Sequence, residues 1–181
     1  MRPVRLLMRT AAALFFLFGL FGDGSAAAQP ANFDGRWILV PDPPAPGRGA
    51  TGGMGSGWGA DIILTQDAAT LTLEYTPFVR YDMQPPIRFV YQLNGTESRN
   101  TINMGRGPQE QVSKTVWNGN KLVITTVQSF TAPSKKTSET LTSQTTQVLS
   151  LESPATLVVE TTRSGVMGGP SSTTKSVYKK N

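Results

Sequence analysis

Four carboxylates, Asp61, Glu74, Asp82 and Glu97, are the side chains of this 181-residue chain with the most scope for hydrolytic chemistry. Sugar hydrolysis uses two carboxyl groups held about 5–10 Å apart across a cleft. Nothing in the spacing of these four brings two of them together, so a carboxylate-based hydrolase is the least favoured of three functional readings. Ser172-Thr173-Thr174-Lys175 spells the S-x-x-K of an acylating serine–lysine pair, but that motif works on a helical turn. In a strand, residues three apart point to opposite faces. Gly47, Gly49 and Gly52 fit the G-x-G-x-x-G of a dinucleotide site. That loop acts only between a strand and a helix amino terminus. Here prolines precede it and β-formers follow.

The chain contains no histidine and no cysteine. Missing with them are the usual general base near neutral pH, the Ser–His and Cys–His nucleophile systems, and the commonest ligand of zinc, copper and haem. No catalytic residue, metal site or cofactor is expected, and the reading turns to binding. Trp37, Tyr75, Phe89, Tyr91 and Trp117 are the aromatic residues expected to line a core or pocket. Residues 41–59 are rich in Pro and Gly, and Met54 and Trp58 are the apolar contacts of a flap expected over the mouth of the fold.

The elements that must position these groups are hairpins. Trp117-Asn118-Gly119-Asn120 followed by Lys121-Leu122-Val123-Ile124-Thr125 is an apolar arrival, an Asn-Gly turn and a β-branched return. Asn and Gly tolerate the positive φ of a tight hairpin turn. Asn94-Gly95, Gln66 to Ala69 and Glu152 to Ala155 mark similar reversals. The Asn94-Gly95-Thr96 sequon is explained by its turn. Leu71, Leu73 and Tyr75 alternate with Thr70, Thr72 and Glu74, and Ile87, Phe89, Tyr91 and Leu93 share a face opposite Arg88, Val90 and Gln92. This period of two is that of half-buried antiparallel strands. From Thr125 to Thr146, by contrast, Thr, Ser and Gln occupy both faces. Either that sheet is solvent-exposed, or it lines a wet interior of hydroxyls and amides. No segment shows capped helical periodicity.

The expected class is therefore all-β: an antiparallel up-and-down barrel or near-barrel of about nine or ten strands, which buries one face and removes sheet edges. A two-sheet sandwich is the main alternative. A membrane barrel is disfavoured by Lys114, Lys121, Arg163 and Lys175 within the strands and by the scarcity of aromatics.

Arg2, Arg5 and Arg9, the apolar run from Ala11 to Phe21 and Ala26-Ala27-Ala28 read as a secretory signal peptide over residues 1–28. The run is shorter than the roughly 20 residues of a membrane span. Residues 29–181 would then form a single domain in the periplasm or outside the cell, with no cysteine for a lipid anchor. Three cations and one anion leave with the leader, taking the net charge from +5 to +3. That surplus is scattered and gives no nucleic-acid patch.

Gly35-Arg36-Trp37 resembles the G-x-W that opens lipocalins, in which the tryptophan closes one end of the barrel. With the Pro-rich segment after it, Thr65-Gln66-Asp67 and Trp117-Asn118-Gly119, it is similar to a group of uncharacterised exported bacterial β-proteins. The resemblance implies fold and address and brings no activity. Together the readings give an exported, non-enzymatic binding protein for a small apolar or amphipathic ligand. The alternative is an envelope module that docks a protein or polysaccharide through a strand edge or the Gly-rich flap.

Overall fold

A computed structural model describes residues 30–41, 56–76, 85–103, 108–133, 138–165 and 169–181. The expected leader 1–28, Met54, Asp82 and the G-x-G-x-x-G match lie outside the described residues. Among those described there are ten strands and no helix: β1 Gly35–Leu39, β2 Asp61–Gln66, β3 Thr70–Tyr75, β4 Ile87–Gln92, β5 Ser98–Asn103, β6 Pro108–Asn118, β7 Lys121–Pro133, β8 Ser138–Ser153, β9 Thr156–Arg163 and β10 Ser172–Lys180. They form one antiparallel sheet in the order β4-β3-β2-β1-β10-β9-β8-β7-β6-β5. The sheet curls into a nearly closed up-and-down barrel, and the sandwich alternative is set aside. The first and last strands pair with each other, Trp37 opposite Lys180 and Leu39 opposite Tyr178. The seam falls in mid-chain, between β4 and β5.

Tight reversals all leave from one end of this barrel. Asn118 pairs with Lys121, so the turn of the central hairpin consists of Gly119 and Asn120, with Gly119 at φ +61°. In the β2–β3 turn, the Asp67 carboxylate accepts the backbone N–H groups of Ala69 and Thr70 at 2.7 and 2.6 Å. Asn94 Oδ1 likewise accepts the N–H of Thr96 at 3.0 Å. The strand ends at Leu39, Tyr75, Asn103, Pro133 and Arg163 lie at the other end, as the antiparallel order requires.

The end with the tight turns is filled by apolar side chains. Phe33 and Trp37 are fully buried, the Trp37 indole N–H donates to the Phe33 carbonyl at 2.9 Å, and Phe33 stacks on Trp117 with centroids 6.1 Å apart. Residues 30–34 are tied across this end by Gln66, whose Oε1 accepts the Phe33 N–H and whose Nε2 donates to the Ala31 carbonyl. Leu64, Leu71, Leu122, Leu149 and Leu157 complete the filling. Truncating one such side chain to alanine typically costs about 3–5 kcal/mol for a tryptophan and 2–5 for a leucine.

The seam carries a different chemistry. Two facing strands without a backbone ladder would leave N–H and C=O groups without partners. Instead the Asn100 carboxamide of β5 lies along β4, accepting from Val90 N–H at 2.8 Å and donating to Val90 C=O at 3.1 Å. Ser98 Oγ accepts the Gln92 N–H at 2.7 Å, and the Thr115 hydroxyl of β6 donates to the Gln92 carbonyl. Side chains stand in for the missing strand-to-strand bonds.

Candidate functional site

Alternation along each strand sorts the interior into two walls. On β3 and β4, register sets Tyr75, Phe89 and Tyr91 on the inner face. Their rings form a near-parallel row, Tyr75 to Phe89 at 6.3 Å and Phe89 to Tyr91 at 6.2 Å. Facing them from β6 to β9 are Gln111, Thr126, Gln128, Thr145, Gln147 and Arg163. Between the walls lies a cavity of about 190 Å³, also lined by Trp58 and Ile102 and half open at the end away from the tight turns. Among the described residues its lining includes no carboxylate.

The polar wall is organised. Ser113 and Thr126, opposite each other on β6 and β7, share a hydroxyl–hydroxyl bond of 2.8 Å. The Gln128 amide donates to Gln109 Oε1 at 2.6 Å. Gln128 and Thr145 carry polar groups toward the space without being deeply buried. Of the Thr- and Gln-rich stretch, Thr126, Gln128, Thr145 and Gln147 thus belong to the wet interior, while Thr125, Val127 and Thr146 fall on the alternate face.

The mouth of the cavity is occupied by residues 56–60, the carboxy-terminal end of the Gly-rich segment. Trp58 is buried among the aromatic residues, with Gly57 and Gly59 on either side both at φ +84°. A side chain would be strained at either position, and a Cβ on Gly57 would also meet the Arg163 guanidinium at 3.1 Å. These two glycines turn the chain inward and out again around one indole. Tyr178 Oη donates to the Gly59 carbonyl at 2.9 Å, which leaves the Ser56 hydroxyl to donate to Tyr178 Oη at 2.6 Å. Ser56 Oγ accepts the Trp58 N–H at 3.2 Å, and the Gln147 amide donates to the Ser56 carbonyl at 2.7 Å. Burial pushes the Tyr91 phenol well above its ordinary value, partly offset by a hydrogen bond from the Trp58 side chain. The Tyr178 phenol is raised by burial too, with Ser56 pulling the other way.

Of the aromatic residues singled out from sequence, Tyr75, Phe89 and Tyr91 are brought together on the cavity, and Trp58 joins them. Trp37 and Trp117 do not line it. They pack at the opposite end with Phe33: Trp117 immediately precedes Asn118, at the start of the tight turn, and stacks on Phe33, and the Trp37 indole is bonded to the Phe33 carbonyl. Gln128 falls within the polar run from Thr125 to Thr146 without being marked out in it; Ser56, Gln111 and Gln147 lie outside that run and carry no signal of their own.

A second depression of about 270 Å³ lies on the outer wall, lined by Arg36, Asp61, Ile63 and Glu74 among others. Its charges are committed to ion pairs. Asp61 is paired with Arg36, whose hydrogen bond holds the carboxyl below the usual carboxylate range. Glu74 lies 3.3 Å from Arg88. Glu97 contacts Arg99 at 3.4 Å and Lys114 at 3.5 Å. Lys175 reaches Glu152 at 3.1 Å, while Ser172 lies three positions earlier on β10 and so on the other face. Among the described residues, no cluster of acidic side chains could hold a metal ion.

Comparison of the chain with protein-family models and with curated proteins finds no match.

Proposed function

We propose that this protein is an exported binding barrel that holds a small amphipathic molecule in its interior. The reading is carried by one observation: a row of three aromatic rings faces a wall of amides and hydroxyls across a cavity of about 190 Å³. Pockets of this kind take an apolar body on one side and fix its orientation through a few hydrogen-bonding groups on the other. A purely hydrocarbon ligand would cover the Thr145 hydroxyl and the remaining hydrogen-bonding capacity of Gln128 with apolar surface, which costs free energy, so the amphipathic half of the expectation is retained. Arg163 is the charged group at the rim, and it favours a neutral or anionic head over a cationic one. Export rests on the leader pattern, and the lipocalin-like resemblance is in keeping with a barrel whose G-x-W tryptophan lies in the filled end. The ion pairs on the outer wall suit water better than lipid. Among the described residues, no helix is long and apolar enough to cross a membrane.

The test is titration with the anionic dye 1-anilinonaphthalene-8-sulfonate, followed by calorimetry. The expected result is one saturable site per chain, weakened about tenfold by Phe89→Ala, which removes apolar contact worth about 1–2 kcal/mol. Binding unchanged in that variant would end the reading.

A second reading, an envelope interaction module, has its own observation. Beyond Gln128 and Ser143, β7 and β8 pair only with each other among the described residues, from Ser129 opposite Thr142 to Pro133 opposite Ser138. This two-stranded arm extends past the barrel and offers outer strand edges of the kind that accept an added strand. Deleting residues 131–140 would abolish capture of a partner from envelope extract while leaving dye binding intact; an unchanged set of captured proteins would exclude this role.

A further inference from the structure

We propose that Ser56–Gly59 is a displaceable plug, with Trp58 holding the place of a planar aromatic ligand about the size of indole. This rests on the binding reading and specifies its ligand. An occupant built into the chain reports what the pocket accepts. Here it is a flat bicycle buried in one cluster with Phe89, Tyr91 and Ile102 and lining the same cavity. The two glycines at φ +84° let the segment enter as a loop around a single side chain.

A second, independent observation shows that the plugged state leaves a polar group unsatisfied. Thr161 of β9 is fully buried, and its hydroxyl has no hydrogen-bond partner among the described residues. Its cross-strand neighbour on β8 is Gln147, near enough for an amide to reach a hydroxyl. Gln147 instead spends its amide N–H on the Ser56 carbonyl. Withdrawal of Ser56 frees that amide to turn to Thr161. The polar wall therefore has two arrangements, Gln147 with Ser56 or Gln147 with Thr161, and a ligand that replaces Trp58 selects the second. Such an element biases an equilibrium only through differential contacts in its two states, and here both sets are specified.

The experiment uses the full chain labelled with 5-fluorotryptophan, whose three tryptophans give three fluorine resonances. Trp58→Phe assigns one of them, and indole-3-acetate is the probe. Displacement moves the Trp58 resonance toward that of free 5-fluorotryptophan, while those of Trp37 and Trp117 stay. Ser56→Ala, which loosens the plug by two hydrogen bonds, tightens probe binding about fivefold. Thr161→Val, which removes the unsatisfied hydroxyl and the alternative partner together, weakens it about fivefold, the change of one ordinary hydrogen bond. Probe bound with the Trp58 resonance unmoved would overturn the plug and leave the binding barrel standing. Free indole bound by Trp58→Gly but no probe bound by the unaltered protein would show a fixed plug, and would overturn displacement alone. No binding by either protein would overturn both readings.

Discussion

At the residue scale, two kinds of polar side chain do work that their identity does not announce. Asn100 completes β4 with its carboxamide, and Tyr91 carries a phenol into the apolar wall. Asn100→Ala strands both the N–H and the C=O of Val90 at a partly buried position, and a loss of about 1–3 kcal/mol in urea unfolding is expected. A change below about 0.5 kcal/mol, the range of an ordinary surface substitution, would show that the seam bonds are inconsequential. The sequence made Tyr75, Phe89 and Tyr91 legible through strict alternation. Asn100, Ser98 and Thr115 were illegible, since a polar residue that caps a neighbouring strand looks like any exposed one. Trp58 stood out as an aromatic residue in a Gly-rich loop. Its burial depends on Tyr178 and Gln147, more than 80 residues away along the chain.

Local chemistry governs the elements. Gly119-Asn120 and the Asp67 carboxylate close their turns with contacts no more than three residues apart, which is why the hairpins could be placed from sequence to within a few residues. The Asp67 carboxyl is held below its usual range, first by the Ala69 and Thr70 backbone N–H groups. Asp67→Ala is expected to lower stability at neutral pH, because the Ala69 and Thr70 N–H groups lose their acceptor. Asp67→Asn, which keeps one acceptor, should retain part of it, as chemical denaturation of the two variants would show. What lay beyond local reading was strand extent. β7 and β8 outrun their neighbours, and nothing in their composition marks where β6 and β9 stop accompanying them. Hydrogen exchange checks the consequence: amides of Ser129 to Ala132 and Ser138 to Ser143 should exchange about a hundredfold faster than those of Leu122 to Thr126, because a two-stranded ribbon opens at lower cost than the barrel wall. Equal protection would mean that the arm is held by further contacts.

For the whole molecule, closure and charge set the behaviour. With no histidine and no cysteine, no side chain has an ordinary ionisation between about pH 5 and 8, so stability should be nearly flat there. Tyr75, Tyr91 and Tyr178 are all raised by burial. A raised phenol prefers its neutral form in the fold. Its contribution is therefore complete below the unfolded value of about 10 and is lost as pH climbs through the folded value. Alkaline titration monitored at 295 nm should show these tyrosines ionising together with unfolding rather than before it; ionisation in a folded protein near pH 10 would contradict their burial.

The meeting of β1 with β10, while β4 and β5 touch only through side chains, makes the gene order a rotation of the spatial order. A rearranged polypeptide starting at Ser98, running through Asn181 and a short linker into residue 30, and stopping at Gln92 would lay its strands down in the sequence the sheet holds them. Every backbone ladder would then join consecutive segments. The one long-range closure left to search for would be the Asn100 clasp, so refolding should outpace that of the parent.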